Sequence, residues 1–482
     1  MSKAYEMVIG LEVHVELKTQ TKIFCSCSTA FGAEPNTQCC PGCLGYPGTL
    51  PVLNSKVVDY AIKAGLATNC TIAGYSKQDR KNYFYPDLPK AYQISQLDLP
   101  LCANGWLDIE TKNGAKRIRI TRIHIEEDAG KLVHRQNGDI SETLFDANRS
   151  GIPLIEIVSE PDMRSADEAV AYLKKLRQSI LYTGVSDCRM NEGSLRCDVN
   201  LSIRKVGEKT LGTRTEMKNL NSFQFVAKAI EHEFKRQVEE LESGGKIIQE
   251  TRRFDEVSGK TFSMRTKEDA NDYRYFPDPD LLPILTEGGK IEALRAEIPQ
   301  LPDERKARYI EAYGLTAYDA EMITSEMRFA DYFESAAEET AYPKLAANMI
   351  ISEIFRLPLD EDEPPRMPAL SLASIADMLG SGKINSSTAK KLLAEVWETC
   401  ADPAAIVKER GLEQISDKEI LAEHVKKAIA DNPKSVADYL KGKAAAPKAI
   451  IGGVMAATGG KANPVIVSEL VDSELEKLKD AD

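Results

Sequence analysis

Glu12, His14 and Glu16 alternate with Val13 and Val15 in an apolar run that begins at Met7. A period of two marks a half-buried β-strand, so these three polar side chains share one face. Two carboxylates flanking an imidazole can hold a divalent ion or move a proton, although a solvated strand face has the same pattern. His124, Glu126, Glu127 and Asp128 fall within five residues, and Glu156 is a lone carboxylate in the apolar run 153–158. A charge set in such a run is expected to be buried, and buried carboxylates are paired or metal-bound. Asp198, Asn200 and Ser202 share one face of the alternating run 195–203. Arg214, Glu216 and Lys218 alternate along a further short segment. Mixed signs at that density suit a magnesium ion together with a polyphosphate.

Five of the ten cysteines crowd into residues 25–43. Cys25-x-Cys27 followed by Cys40-Pro41-Gly42-Cys43 pairs two thiols with two more, the second pair on a turn that Pro and Gly favour. Four thiolates satisfy a tetrahedral zinc ion and leave no position for water, which points to a structural site. The competing reading is a set of reduced thiols without metal, and Cys39 is an additional thiol beside a candidate ligand. Cys70, Cys102, Cys188, Cys197 and Cys400 are scattered and read as small core residues.

These residues need elements to position them. The 482 residues exceed one typical core and predict two or three domains. Residues 1 to about 290 are strand-rich and punctuated by Gly, Pro and Asn. The alternation in 118–126 changes phase near Thr121, which predicts a β-bulge. Two helices interrupt the strands. One opens with the capping box Ser165/Glu168 and ends at Gly184; the other runs over 222–243, with Val226, Ile230, Phe234, Val238 and Leu241 as its apolar stripe. Without regular βαβ alternation this is an α+β arrangement. From about 298 the composition turns helical, and a last unit opens near Leu412 with a capping box at Ser416/Glu419 and a stripe of Ile420, Val425 and Ile429.

The net charge of −12 argues against a surface coated in nucleic acid. Lys441, Lys443, Lys448 and Lys461 nevertheless form a local basic cluster that can meet phosphates, or can simply be a solvated helix surface. No apolar run approaches the ~20 residues of a membrane span, and no leader pattern opens the chain, so a cytosolic location is expected. Aromatic segments at 82–90 and 273–281 echo each other, with packing as their expected role. The phosphate-binding loop G-x-x-x-x-G-K-[ST], a strand-borne G-x-G-x-x-G and the elbow G-x-S-x-G are all absent from the sequence.

Taken together, residues 9–17, 31–37, 81–96, 124–131, 148–162, 192–204, 213–222 and 273–281 resemble the B subunits of the heterotrimeric tRNA-dependent amidotransferases, the aspartyl/glutamyl-tRNA amidotransferases. The tail, with Asn432-Pro433 and Lys461-Ala462-Asn463-Pro464, is similar to that family's small tail domain. The resemblance implies a cradle-like α+β catalytic domain at 1–293, a helical domain at 294–411 and a tRNA-binding tail at 412–482. It implies ATP- and Mg²⁺-dependent phosphorylation of the side-chain carboxylate of Glu on tRNA(Gln) or Asp on tRNA(Asn). Ammonia from a partner glutaminase (amidase) then displaces phosphate, and a third, small protein braces the pair into a heterotrimer. Glu12, His14, Glu126 or Glu127 or both, Glu156 and Asp198 are the implied metal ligands, and Arg214, Glu216 and Lys218 the implied contacts to nucleotide or acyl phosphate. The zinc-bearing pattern falls on Cys25, Cys27, Cys40 and Cys43, and the tRNA contacts include the four tail lysines. A non-catalytic module that presents tRNA within the same complex is the alternative.

Overall fold

The computed structural model describes residues 4–479 except 113, 139, 267–272, 360–362, 416, 442, 444 and 445. It forms two compact units, Met1–Leu301 and Pro302–Asp482.

The first unit is built on a nine-stranded sheet. Its strands lie in the order Lys260–Thr266, Glu250–Asp255, Thr215–Lys218, Leu195–Lys205, Tyr5–Glu16, Pro153–Ser159, Gly114–Glu127, Cys102–Thr111 and Thr71–Ile72. The opening strand, Tyr5–Glu16, is therefore central. Its odd residues Met7, Ile9, Leu11, Val13 and Val15 are buried, in one cluster with side chains of the helices Ser55–Ala67, Ala166–Tyr182 and Phe223–Glu242. Each such side chain contributes ~1.5–3 kcal/mol on burial. The even residues are thereby committed to the opposite face.

The helices begin and end where their sequences indicate. Ser165 Oγ accepts from Glu168 N at 3.1 Å, while Glu168 returns a carboxylate to Arg164 N at 2.7 Å, one residue before the usual partner. Gly184 follows with φ +69°. Ser222 caps the second helix through Phe225 N, and Val226, Ile230, Phe234 and Val238 are buried.

The expected bulge is present. Val158 pairs with Arg122, but Ser159 pairs with Ile120, leaving Thr121 as the extra residue. A small three-stranded sheet, ordered Phe276–Pro277, Asp79–Asn82, Tyr92–Ser95, joins the two aromatic segments. Tyr83 and Tyr273 meet edge-on at 6.1 Å, and Arg80 bonds Asp278 at 2.7 Å and Asp280 at 2.8 Å.

The second unit is helical throughout its described regular elements. Its last four helices, Lys418–Asp431, Pro433–Leu440, Ala446–Ala457 and Pro464–Lys479, enclose a separate core of Leu421, Val425, Ile450, Val454, Val467, Val471 and Leu475. Ser416 lies outside the described residues, and Asp417 is the N-cap, accepting from Glu419 N and Ile420 N. The stripe is also rotated from the expected one. Leu421, Val425 and Ala428 are buried, whereas Ile420 is 48% exposed, because it lies about 100° around the helix from Leu421.

Gly105 sets one strand against the loop below it. A Cβ there would stand 2.3 Å from Cys70 Sγ and 2.7 Å from Thr68 O, a backbone atom that cannot swing aside. Gly105→Ala is expected to destabilise the first unit by ~1–3 kcal/mol. An unchanged thermal midpoint in calorimetry would contradict this packing.

Candidate active site

Residues directly opposite one another in an antiparallel ladder point to the same face. Glu12 lies opposite Asp198; His14 lies opposite Glu156 on one side and Arg196 on the other. Glu156 in turn lies opposite His124, and Asn200 opposite Glu216. The five strands from Thr215–Lys218 to Gly114–Glu127 thus set a polar lattice on the face away from the helices.

Two sets of candidate ligands emerge: His14 with Glu126 and Glu156, and Glu12 with Asp198 and Glu216. Within each set one donor atom per residue lies within 4.8 Å of the others, close enough to share one ion. Residues i and i+2 of a strand stand about 6.7 Å apart, so Glu12 and His14 serve neighbouring sets rather than a single one.

In the first set His14 Nε2 is 3.4 Å from Glu126 Oε1 and 3.6 Å from Glu156 Oε2. His124 Nε2 is 3.2 Å from the same Glu156 oxygen. Burial alone would lower the His14 pKa, but the two carboxylates outweigh it and raise it to about 10. Burial likewise pushes Glu126 and Glu156 up, and the two imidazoles overcome it and hold both below the usual carboxylate range. In the second set Lys218 Nζ is 2.6 Å from Asp198 Oδ2 and 3.4 Å from Glu216 Oε1. Asn200 Nδ2 donates to Glu12 at 2.9 Å, and Thr251 Oγ1 to Glu216 at 2.8 Å. Three carboxylates against one ammonium leave a negative balance that suits a divalent cation.

Glu126 and Glu127 separate cleanly. Glu126 faces His14, whereas Glu127 pairs with Lys90 and accepts from Ile94 N at 2.9 Å, lining a cavity of about 260 Å³. Strand alternation sends consecutive residues to opposite sides. Arg214 lines a second cavity of about 180 Å³ with Gly10, Glu12, Ser159, Asn200 and Ser202. Glu16 leaves both sets; burial and then Asp128 raise its carboxyl to about 8. Lys81 was not singled out by sequence. It is brought toward Glu126 by the small sheet, whose adjacent strand sets Ser95 Oγ 3.4 Å from Glu126 Oε2, a placement that no local spacing reveals.

The Sγ atoms of Cys25, Cys27, Cys40 and Cys43 lie within 4.8 Å of one another. Cys25–Cys43 and Cys40–Cys43 measure 3.7 and 3.8 Å, matching the ~3.8 Å edge of a tetrahedron with metal–sulfur bonds of ~2.3 Å. Cys39 turns away and bonds Asn36 O. The fully buried Lys22 sets its ammonium 3.5 Å from Cys43 Sγ. The Cys25 hydrogen bond, with Lys22 assisting, lowers the Cys43 thiol to about 4. Among the tail lysines, Lys441 and Lys448 are exposed, Lys443 pairs with Asp438 at 3.0 Å, and Lys461 bonds Gly411 O at 2.8 Å.

Residues 7–292 match the GatB/GatE catalytic domain, and residues 331–475 match the GatB domain. Curated relatives named as the B subunit of aspartyl/glutamyl-tRNA(Asn/Gln) amidotransferase align along the whole chain. The Caldicellulosiruptor saccharolyticus protein is 58% identical over 98% of this chain and 100% of its own length. Those of Thermoanaerobacter pseudethanolicus and Geotalea daltonii are 55% and 53% identical, each over 98% of this chain and 100% and 99% of their own lengths.

The chain belongs to the family of aspartyl/glutamyl-tRNA(Asn/Gln) amidotransferase B subunits.

In this amidotransferase B subunit, both ligand sets fall inside the matched catalytic domain, and the tail core falls inside the second matched domain. None of its described helices is long and apolar enough to cross a membrane.

The charge pairing in the first set has a pH signature. His14 is raised from 6.5 to about 10, so its contribution to stability is full below pH 6.5 and is lost as the pH rises through about 10. In magnesium-free buffer, the difference in urea stability between the parent and His14→Gln should shrink over that interval. A difference that stays constant with pH would contradict the pairing.

Proposed function

We propose that this member of the amidotransferase family phosphorylates, with ATP and magnesium, the side-chain carboxylate of Glu carried on tRNA(Gln), of Asp carried on tRNA(Asn), or of both. A carboxylate is a poor electrophile. Transfer of the γ-phosphoryl group to one of its oxygens releases ADP and turns that oxygen into part of a leaving group. Ammonia then forms the new C–N bond, phosphate departs, the nitrogen loses a proton, and Gln-tRNA(Gln) or Asn-tRNA(Asn) results. A partner glutaminase (amidase) supplies the ammonia from glutamine, and a third, small protein completes the heterotrimer. The chemistry takes place in the cytoplasm.

The observation that carries this reading is the pair of ligand sets side by side on one rigid sheet face, next to the cavity that Arg214 lines. Phosphoryl transfer needs positioning and charge neutralisation more than covalent catalysis. Glu12, Asp198 and Glu216 form one magnesium site, and His14, Glu126 and Glu156 the other, with Glu126 taking the role left open between it and Glu127. Magnesium, when bound, neutralises the phosphate oxygens. Arg214 and Lys218 contact nucleotide or acyl phosphate. Cys25, Cys27, Cys40 and Cys43 hold a structural zinc ion that fixes the loop beside the larger cavity. The division into a catalytic part at 1–293, a helical part at 294–411 and a tail at 412–482 assigns tRNA contacts to the latter two, including Lys441, Lys443, Lys448 and Lys461.

The deciding experiment supplies the heterotrimer with ATP, Mg²⁺ and ammonia, and separately with Glu-tRNA(Gln) and Asp-tRNA(Asn). Amide recovered from either tRNA only when ATP is present supports the reading; tRNA binding without amide would establish a presenting module instead. Glu156→Gln is expected to fold normally and to lower acyl-phosphate formation at least ~10²-fold, the usual loss on removing one electrostatic group of a transition-state site. Elemental analysis should find about one zinc ion per chain, and Cys40→Ala should lose it together with thermal stability.

A further inference from the structure

The cations around the acidic face are nearly all engaged. Lys218 is held by Asp198 and Glu216, Lys90 by Glu127, Arg196 by Asp128, and Arg122 Nε lies 3.4 Å from His124 Nδ1. Lys81 differs. Its ammonium lies 5.0 Å from the centre of the Tyr273 ring and 5.8 Å from that of Tyr83. No hydrogen bond or ion pair of its three donors is formed among the described residues.

Its position is fixed from several sides. Lys81 belongs to the middle strand of the small sheet, paired with Gln93, while neighbouring Arg80 pairs with Phe276. Tyr273 is in turn packed edge-on by Tyr83 and by Tyr275, at 6.1 and 6.2 Å. Its ladder partner Gln93 donates to Glu127 O at 2.7 Å, and Ser95 on the same strand lies 3.4 Å from Glu126 Oε2. The small sheet thus sets Lys81 beside that carboxylate, and Glu126 and Glu156 keep the ammonium charged against the desolvation that disfavours it. Aromatic faces attract a cation but accept no strong hydrogen bonds from it. The Lys81 side chain is only half-buried, so its donors remain open to an anion that enters beside Glu126.

We propose that Lys81 is a catalytic residue whose ammonium donates to oxygens of the phosphoryl group in transit, on the side of the His14–Glu126–Glu156 set. The inference rests on the phosphorylation reading above. The aromatic cage keeps the ammonium from collapsing onto the carboxylates and directs its donors at the anion that arrives with the metal. A donor already in place gains strength as negative charge spreads over the phosphoryl oxygens and needs no rearrangement at that moment. A role as mere counter-charge for Glu126 and Glu156 makes a different prediction: it would alter metal affinity and stability but not the rate at saturating metal.

The test compares Lys81→Met with the parent in the assembled heterotrimer. Acyl-phosphate formation is followed as aminoacyl-tRNA-dependent formation of ADP without ammonia, at saturating Mg²⁺ and ATP. Mg²⁺·ATP affinity and the thermal midpoint are measured alongside. The expected result is a ~10²–10³-fold lower rate, with Mg²⁺·ATP affinity within about threefold and no loss of thermal stability. Lys81→Arg should restore part of the rate. A Lys81→Met rate within about threefold of the parent, or a defect that saturating Mg²⁺ abolishes, would overturn the proposal. If the parent heterotrimer itself forms no ADP in response to aminoacyl-tRNA, the phosphorylation reading fails and the Lys81 role fails with it; if only the variant comparison fails, that reading stands.

Discussion

One strand has to satisfy two opposite environments, and the first unit depends on how it does so. Tyr5–Glu16 lies at the centre of the sheet, hydrogen-bonded on both edges, so its register is fixed by two neighbours at once. Its odd side chains are locked into the apolar cluster under the helices. A one-residue slip would drive Glu12, His14 and Glu16 into that cluster and expose five apolar residues. The hydrophobic side of the strand therefore holds the polar side, with its candidate ligands, in place. Because Glu156, Asp198 and Asn200 are register partners of the same strand, the constraint extends across the lattice.

A face so rich in carboxylates has to balance its charge internally. His14 and His124 serve Glu126 and Glu156, and Lys218 serves Asp198 and Glu216. On such a face protons and any bound metal ion compete for the same donor atoms. The shifted pKa values of His14, Glu126 and Glu156 reflect this mutual compensation rather than isolated groups.

The short strand Thr215–Lys218 needs support of its own, since four residues make few ladder bonds. It comes from beneath. Glu233 on the helix Phe223–Glu242 is fully buried and bonds Arg236, Thr215, Gln237 and Thr261. Arg252 extends the network, at 3.4 Å from Glu233 and through bonds to Thr261. Every member is satisfied in this way except Gln237 Oε1, so the polar core ties the helix to three strands without leaving its charge unpaired. Breaking one partner would leave a buried carboxylate exposed to its full desolvation cost.

The sequence by itself determined the local features. Alternation marked the strand faces, a phase change located the bulge at Thr121, and Ser165 and Ser222 marked helix starts, because these signals act over a few residues. The same locality let the paired cysteines be read, and tertiary structure then removed Cys39 by turning its thiol to Asn36. What spacing could not decide was grouping across strands. Glu12 and His14, two residues apart, join different sets because their partners arrive from different neighbouring strands. Glu126 enters a set and Glu127 does not, because the pleat sends them apart. Lys81 comes beside Glu126 only through the small sheet, whose next strand carries Ser95 to 3.4 Å from that carboxylate. A periodicity fixes which face a residue occupies; only the pairing of distant strands fixes which residues share it.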